Sequence, residues 1–163
     1  MHSKRQRVRG WRPVGAHERF AVTVATKNRP AYLAALLATL AQQTHRNWML
    51  VVNDQSDSPV AEEPAVKDLL TLIEAQGHEV RLMRTRSPCD RYQRSLEAVP
   101  ESIEFVHRID DDVVISPTYL ERLIRPFVFF PERPLAAVGG CLPDPRFTPM
   151  RLGEALRQPG WFP

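Results

Sequence analysis

Short apolar runs alternate in this chain with stretches whose leucines recur at helical spacing, and that alternation leaves few folds open. Phe20 to Thr26 (FAVTVAT) is apolar and β-branched, the pattern of a strand buried on both faces. Pro30 follows where a first helical turn tolerates proline, and Leu33, Leu36, Leu37 and Leu40 then fall at i, i+3, i+4 and i+7. Trp48 to Val52 (WMLVV) reads as a second strand, closed by the turn-forming run Asn53 to Pro59 (NDQSDSP). Val66, Leu69, Leu70 and Ile73 mark a second helix, Val80 to Met83 a weaker strand, and Arg91 to Ala98 a short helix. Ile103 to Ile109 (IEFVHRI) is a strand ending on Asp110-Asp111-Asp112. Ser116-Pro117 opens a helix carrying Leu120, Leu123, Ile124 and Phe127, and Leu135 to Val138 is a last strand before Gly139-Gly140.

Strands joined by crossover helices imply an α/β fold, a mostly parallel sheet flanked by helices on both faces. At 163 residues, 43% hydrophobic and 25% charged, the chain is sized and composed for one globular domain. That domain is expected over 19–163, behind a basic leader over 1–18 that holds Lys4, Arg5, Arg7, Arg9 and Arg12. The leader is read as solvated rather than as a nucleic-acid or membrane contact. No apolar run approaches the ~18 residues of a membrane span, no signal peptide opens the chain, and a cytoplasmic location is expected. Cys89 and Cys141 make no metal-binding spacing and are read as free thiols.

In parallel sheets of this kind, ligands bind beyond the carboxyl ends of the strands. Three polar segments lie there: Thr26 to Arg29, Asn53 to Ser56, and Asp110 to Asp112. Consecutive carboxylates at a strand end repel one another unless a cation sits among them. A hard divalent cation, Mg2+ or Mn2+, would fit, with phosphate and water completing its ligand set. A solvated acidic turn capping the next helix fits the triplet equally well. Asp54 is placed either to bond its own turn backbone or to accept from a base N–H. The Thr26-Lys27-Asn28-Arg29 turn offers donors to phosphate or ribose at a helix start, or simply caps that helix. Arg84, Arg86, Arg91 and Arg94 form a cluster from which one or two arginines are expected to meet a diphosphate. His107, inside a strand, is read as a packing residue.

The seven glycines form neither a GxGxxG nor a GxxxxGK pattern, which argues against dinucleotide-binding and P-loop folds. No GxSxG, HExxH or paired zinc ligands occur.

These segments, in this order, resemble the inverting, GT-A-fold family 2 glycosyltransferases. The resemblance rests on Thr26 to Leu33 (TKNRPAYL), on Gln43 to Ser56 (QTHRNWMLVVNDQS), and on an acidic DXD-type motif followed by Pro117 and then Tyr119-Leu120-Glu121. It covers roughly residues 20 to 142. It implies transfer of a sugar, with inversion, from a nucleoside diphosphate sugar, UDP-sugars being favoured, to an acceptor that the sequence does not identify. Thr26, Asn28 and Arg29 would line the nucleotide pocket and Asp54 would hold the base. Asp110 and Asp111 would meet ribose or metal-bound water, Asp112 with Asp110 would hold Mn2+ or Mg2+, and Arg91 or Arg94 would face the diphosphate. The chain departs from the family pattern with Asn53-Asp54-Gln55-Ser56 where Asp-Asp-Gly-Ser is usual, and with Arg91-Tyr92-Gln93-Arg94 where Ala-Arg-Asn is usual.

The family's general base lies well downstream of the metal motif. Past residue 140 only Asp144 and Glu154 are carboxylates, and neither sits in a recognisable base motif. A chain truncated before its acceptor half is therefore expected, as is the alternative of a non-catalytic nucleotide-sugar-binding module. Apolar side chains over Phe127 to Pro134 and at Trp161-Phe162 would be covered by an acceptor domain or by a homo-oligomer. A nucleotidyltransferase has a similar sheet, but its Gly-rich phosphate loop is missing.

Overall fold

The computed structural model describes residues 18–86, 91–103 and 105–129, with the side chains of 91, 92 and 126–129 excepted. All of these belong to the first of two compact units, Met1–Arg133. The leader before residue 18, both cysteines, the strand expected at Leu135 to Val138, Asp144, Glu154, and the side chains from Phe127 to Pro134 and at Trp161-Phe162 lie outside the described residues.

Four strands, β1 (Phe20–Thr26), β2 (Trp48–Asp54), β3 (Glu79–Arg84) and β4 (Phe105–Asp110), form one parallel sheet in the order β3-β2-β1-β4. The helices are α1 (Pro30–Leu40), α2 (Pro64–Ala75), α3 (Arg91–Glu97) and α4 (Tyr119–Phe129), with a 3-10 turn at Val60–Glu62. The expected fold class is therefore the observed one. Both faces are covered, but unequally. Alternate residues of β1 and β2 (Phe20, Val22, Val24; Trp48, Leu50, Val52) pack with the leucines of α1, with Val66, Leu70 and Ile73 of α2, and with Leu120 and Ile124 of α4. The other set, Ala21, Met49 and Val51, meets Ile103, Ala98 and Val99 beyond α3. Leu33, Leu36, Leu37 and Leu40 are fully buried. Each contributes roughly 2 kcal/mol by leaving water, which is what holds α1 to the sheet. Among the described residues no helix is long and apolar enough to cross a membrane.

Boundaries differ from the sequence reading by a single residue at β3 and α3, and by two or more in three places. β2 runs two residues past the apolar run to Asp54, because Asn53 and Asp54 find buried hydrogen-bond partners that substitute for water. β4 starts at Phe105 and not Ile103, since Ile103 N–H closes a turn onto the Pro100 carbonyl at 3.0 Å. α4 starts at Tyr119, one turn after Ser116; the Ser116 carbonyl accepts from Tyr119 N–H at 3.0 Å.

The Gln43-Thr44 pair ties the two ends of this core together. Gln43 is fully buried. Its Nε2 donates to the Ser116 carbonyl at 2.8 Å and the Thr39 carbonyl at 3.0 Å, while its Oε1 accepts from Leu120 N–H at 3.0 Å. Thr44 N–H donates to the Pro117 carbonyl at 2.8 Å. The loop that leaves the acidic triplet is thus clamped to the C-terminal end of α1.

His107 packs on the helix-covered face and shares a 3.1 Å hydrogen bond with the Tyr119 hydroxyl. Burial lowers its imidazole from 6.5 to about 4, so the ring is neutral in the folded chain at pH 7 and suits the packing role expected for it. The unfolded chain takes up this proton near 6.5 and the folded chain only near 4. Stability from this group is complete above pH 6.5, falls as pH drops between those values, and levels off below 4. We expect the unaltered chain to lose on the order of 2 kcal/mol more than His107→Gln between pH 7.5 and 4.5, read from urea midpoints at the two pH values.

Candidate functional site

The strand order reverses once. The chain steps outward from β1 through β2 to β3, then returns to lay β4 on the other side of β1. A crevice opens at such a switch point, beyond the carboxyl ends of the two strands that diverge. Parallel register aligns those ends: Thr26 lies opposite Asp54, Ala25 opposite Asp110, and Asp54 opposite Arg84. The three polar segments singled out in the sequence therefore form one row.

At the β1–β4 crevice Thr26 Oγ1 donates to Asp111 Oδ2 at 2.7 Å, both residues being buried. Arg29 Nη1 stands 3.3 Å from Asp111 Oδ1 and 3.3 Å from Asp112 Oδ2. Arg108 Nη2 reaches Asp110 Oδ1 at 3.4 Å. The three carboxylates thus have different surroundings. The Asp111 side chain is 8% exposed and bonded at both oxygens, whereas those of Asp112 and Asp110 are 48% and 70% exposed. A cavity of about 320 Å³ lies over them, lined by Ala25, Thr26, Lys27, Arg29, Gln55 and Arg108 with the triplet.

A second cavity, about 620 Å³, opens beyond β2 and β3. Lys27 and Gln55 line both cavities, and Ser56, Asp57, Arg84, Thr85 and Arg86 complete the second. Three cations against one carboxylate make this half electropositive, suited to an anionic ligand.

Asp54 is buried, and each of its oxygens accepts a backbone N–H: Oδ1 from Ser56 at 2.8 Å and Oδ2 from Val60 at 2.9 Å. Its carboxylate thereby shapes the turn after β2. Asn28 has a φ of 53°, a left-handed conformation that asparagine tolerates better than most residues. Its side chain exchanges two hydrogen bonds with Asp57, at 2.9 and 3.0 Å, and its N–H donates to Ser56 Oγ at 2.8 Å. Asn28 therefore joins the first two loops of the row. Arg84 Nη2 donates to the Ser56 carbonyl at 2.7 Å and braces the same turn.

Of the residues named from sequence, Thr26, Arg29, Asp110, Asp111 and Asp112 converge on the first cavity. Asp54 and Asn28 support its neighbouring loop. Arg94 pairs with Glu97 along α3, Nη1 to Oε2 at 3.1 Å, and lines neither of these cavities; the Arg91 side chain lies outside the described residues. Within the arginine cluster it is Arg84 and Arg86 that face the second cavity. Gln55 and Arg108 carried no signal of their own. Arg108 is visible in hindsight through strand period, two residues before Asp110 and on the same face.

Among the described residues no group of three or more His, Cys, Asp or Glu side chains stands ready to hold a metal alone. The exposed pair Asp110 and Asp112 nevertheless matches the usual Mg2+ or Mn2+ arrangement of one or two carboxylates completed by phosphate and water.

The fold and crevice define a parallel α/β domain with a polar cavity at its switch point. Comparison with known proteins narrows the class. Protein CgeD of Bacillus subtilis (strain 168) is 28% identical over 125 residues, spanning 71% of this chain and 28% of CgeD. S. aureus TarS is 21% identical with a TM-score of 0.54, over 67% of this chain and 19% of TarS. The mannosyltransferase PcManGT from Pyrobaculum calidifontis, solved in complex with GDP-Man and Mn2+, is 17% identical with a TM-score of 0.57, over 72% of this chain and 35% of that one. TarS 1–349 in complex with UDP matches with a TM-score of 0.54 at 22% identity, over 67% of this chain and 32% of that structure. The fold is that of the GT-A-type glycosyltransferases. No family profile matches the chain. The chain spans 35% or less of the length of each of these proteins.

Proposed function

We propose that residues 19–163 are a nucleotide-sugar-binding domain of a metal-dependent glycosyltransferase, which transfers the sugar of a nucleoside diphosphate sugar to an acceptor with inversion. The observation that carries this reading is the crevice itself, where two exposed carboxylates, Asp110 and Asp112, adjoin a cation-lined cavity at the switch point. Asp110 and Asp112 would hold Mn2+ or Mg2+. A bound divalent cation neutralises charge developing on a leaving diphosphate. Asp111, fixed by Thr26, orients the pair and anchors Arg29. Lys27 and Arg29 face the diphosphate, and Arg84 and Arg86 draw in the nucleotide's negative charge. Asp54 Oδ2 also faces Arg84 Nε at 3.9 Å, so a base N–H would be accepted by Oδ1, which has one backbone donor. That solved neighbours carry UDP in one case and GDP-Man with Mn2+ in another supports the ligand class.

One observation favours a second reading, a binding module without turnover. In the first cavity every carboxylate is paired with an arginine, so none is placed to take a proton from an acceptor hydroxyl.

Calorimetry with UDP, GDP and dTDP separates these outcomes when run with and without Mn2+. One nucleotide is expected to bind in the micromolar range only when Mn2+ is present, about −8 kcal/mol. Equal affinity without metal would overturn the metal assignment. Sugar transfer or hydrolysis by this chain alone would exclude the module reading.

A further inference from the structure

We infer that Arg29 is an exchangeable counter-ion: it holds Asp112 while no divalent cation is bound, and gives it up to that cation, so that the guanidinium becomes available to the diphosphate. This rests on the reading that Asp110 and Asp112 hold the metal.

A single nitrogen, Arg29 Nη1, serves both Asp111 and Asp112, each at 3.3 Å. Neither contact is the short, two-pronged fork that makes arginine–carboxylate pairs strong. The two ends of the bridge are unequal. Asp111 is buried and already receives the Thr26 hydroxyl at 2.7 Å. Asp112 is half-exposed, and among the described residues Arg29 is its sole partner. The bridge is therefore weakest at Asp112, the residue that a cation needs.

The two cations cannot share that carboxylate comfortably. A divalent ion bonded to oxygen at about 2.1 Å would stand within about 5 Å of Nη1. At that separation a doubly charged ion repels the guanidinium more strongly than a single long, half-solvated contact holds it. Arg29 can leave without disturbing the fold. Its backbone carbonyl is fixed by Leu33 N–H at 3.1 Å, but its side chain is 50% exposed. Its guanidinium carbon already lies 6.0 Å from the centre of the exposed Tyr32 ring, a contact it can keep when Asp112 is given up. The departing charge stays in the cavity that Lys27 lines, where an anionic ligand would collect it.

The test uses Mn2+ alone and the full 163-residue chain, with free Mn2+ counted by electron paramagnetic resonance and no nucleotide present. Arg29→Gln is expected to bind Mn2+ about tenfold more tightly than the unaltered chain. Lys27→Gln removes the same charge from the same cavity, but Lys27 has no ion-pair partner among the described residues; its effect should stay within about twofold, as expected for a screened, unpaired charge. With saturating Mn2+, Arg29→Gln should bind UDP about tenfold more weakly, the loss of one charge-assisted contact. Arg29→Lys, which keeps charge without the fork, should fall between. In the unaltered chain, adding Mg2+ should shift the Arg29 Nε–Hε signal in a nitrogen-15 spectrum. If Arg29→Gln binds Mn2+ no more tightly than Lys27→Gln, or the Arg29 signal ignores Mg2+, the exchange is wrong while the metal site stands. If no Mn2+ binding is lost on Asp112→Ala, the metal site itself is wrong and the exchange falls with it.

Discussion

Replacing Asp112 with alanine is expected to weaken Mn2+-dependent nucleoside diphosphate binding on the order of 100-fold, with the thermal unfolding transition unmoved. The size follows from what is lost. Removing a group that merely orients a metal ligand costs about 10- to 100-fold, so removing a carboxylate ligand belongs at or beyond the upper end. The unmoved transition follows from exposure. The Asp112 side chain is 48% exposed, and its contact with Arg29 is a long surface pair of negligible net stability. Asp111→Ala provides the contrast. That carboxylate is buried, and its loss would strand the Thr26 hydroxyl as well as release Arg29. Asp111→Ala should therefore lower stability by about 1–3 kcal/mol in addition to weakening binding. Calorimetric titration beside differential scanning calorimetry distinguishes the two variants. Equal nucleotide affinity in Asp112→Ala and the unaltered chain would remove Asp112 from the site.

The second large effect lies away from the cavity. Gln43→Leu keeps the side-chain volume roughly constant but removes three hydrogen bonds. The Thr39 carbonyl keeps a second donor, Gln42 N–H at 3.3 Å. The Ser116 carbonyl likewise keeps Tyr119 N–H at 3.0 Å, so the group left unpaired in the core is Leu120 N–H, at a cost of about 1–3 kcal/mol. We expect a loss of about 1–3 kcal/mol in urea unfolding, a large share of a typical domain's stability. Because Gln43 also fixes the loop that leaves the triplet, the variant should weaken nucleotide binding at temperatures where it is still folded. Unchanged stability would mean that water or a shifted helix start satisfies Leu120 N–H. A Gln-Thr pair that looks like part of a ligand motif in sequence is, in the structure, the fastener between α1 and α4.

These two residues also show how far the sequence could be read. The place of Asp112 beside the first cavity was legible because it follows a strand end, and strand ends are set by local pattern. The hydrophobic runs at Phe20 to Thr26 and Trp48 to Val52, and the leucine spacing of α1, made sheet and helices readable for the same reason. Gln43 was readable only as a letter in a motif, since its partners Ser116 and Leu120 lie more than seventy residues away. The arginines divided in the same manner. Arg84, Arg86, Arg91 and Arg94 form one cluster in sequence, but β3 ends between its two halves' surroundings: Arg84 and Arg86 look over the second cavity, whereas Arg94 lies along α3 against Glu97.

What the sequence determined by itself was periodicity and its consequences: alternating strands and helices, a parallel sheet, and polar segments at three strand ends. Those follow from interactions between residues a few positions apart. What only the tertiary structure decided was the division of labour among similar groups. It made Asp111 a buried anchor and left Asp110 and Asp112 exposed, turned Asn28 toward a neighbouring loop and Asp54 onto its own turn, and set Arg29 across two carboxylates. Burial and contacts between separate strand ends fix those roles, and those of the triplet and Arg29 arise only when β4 returns to lie beside β1.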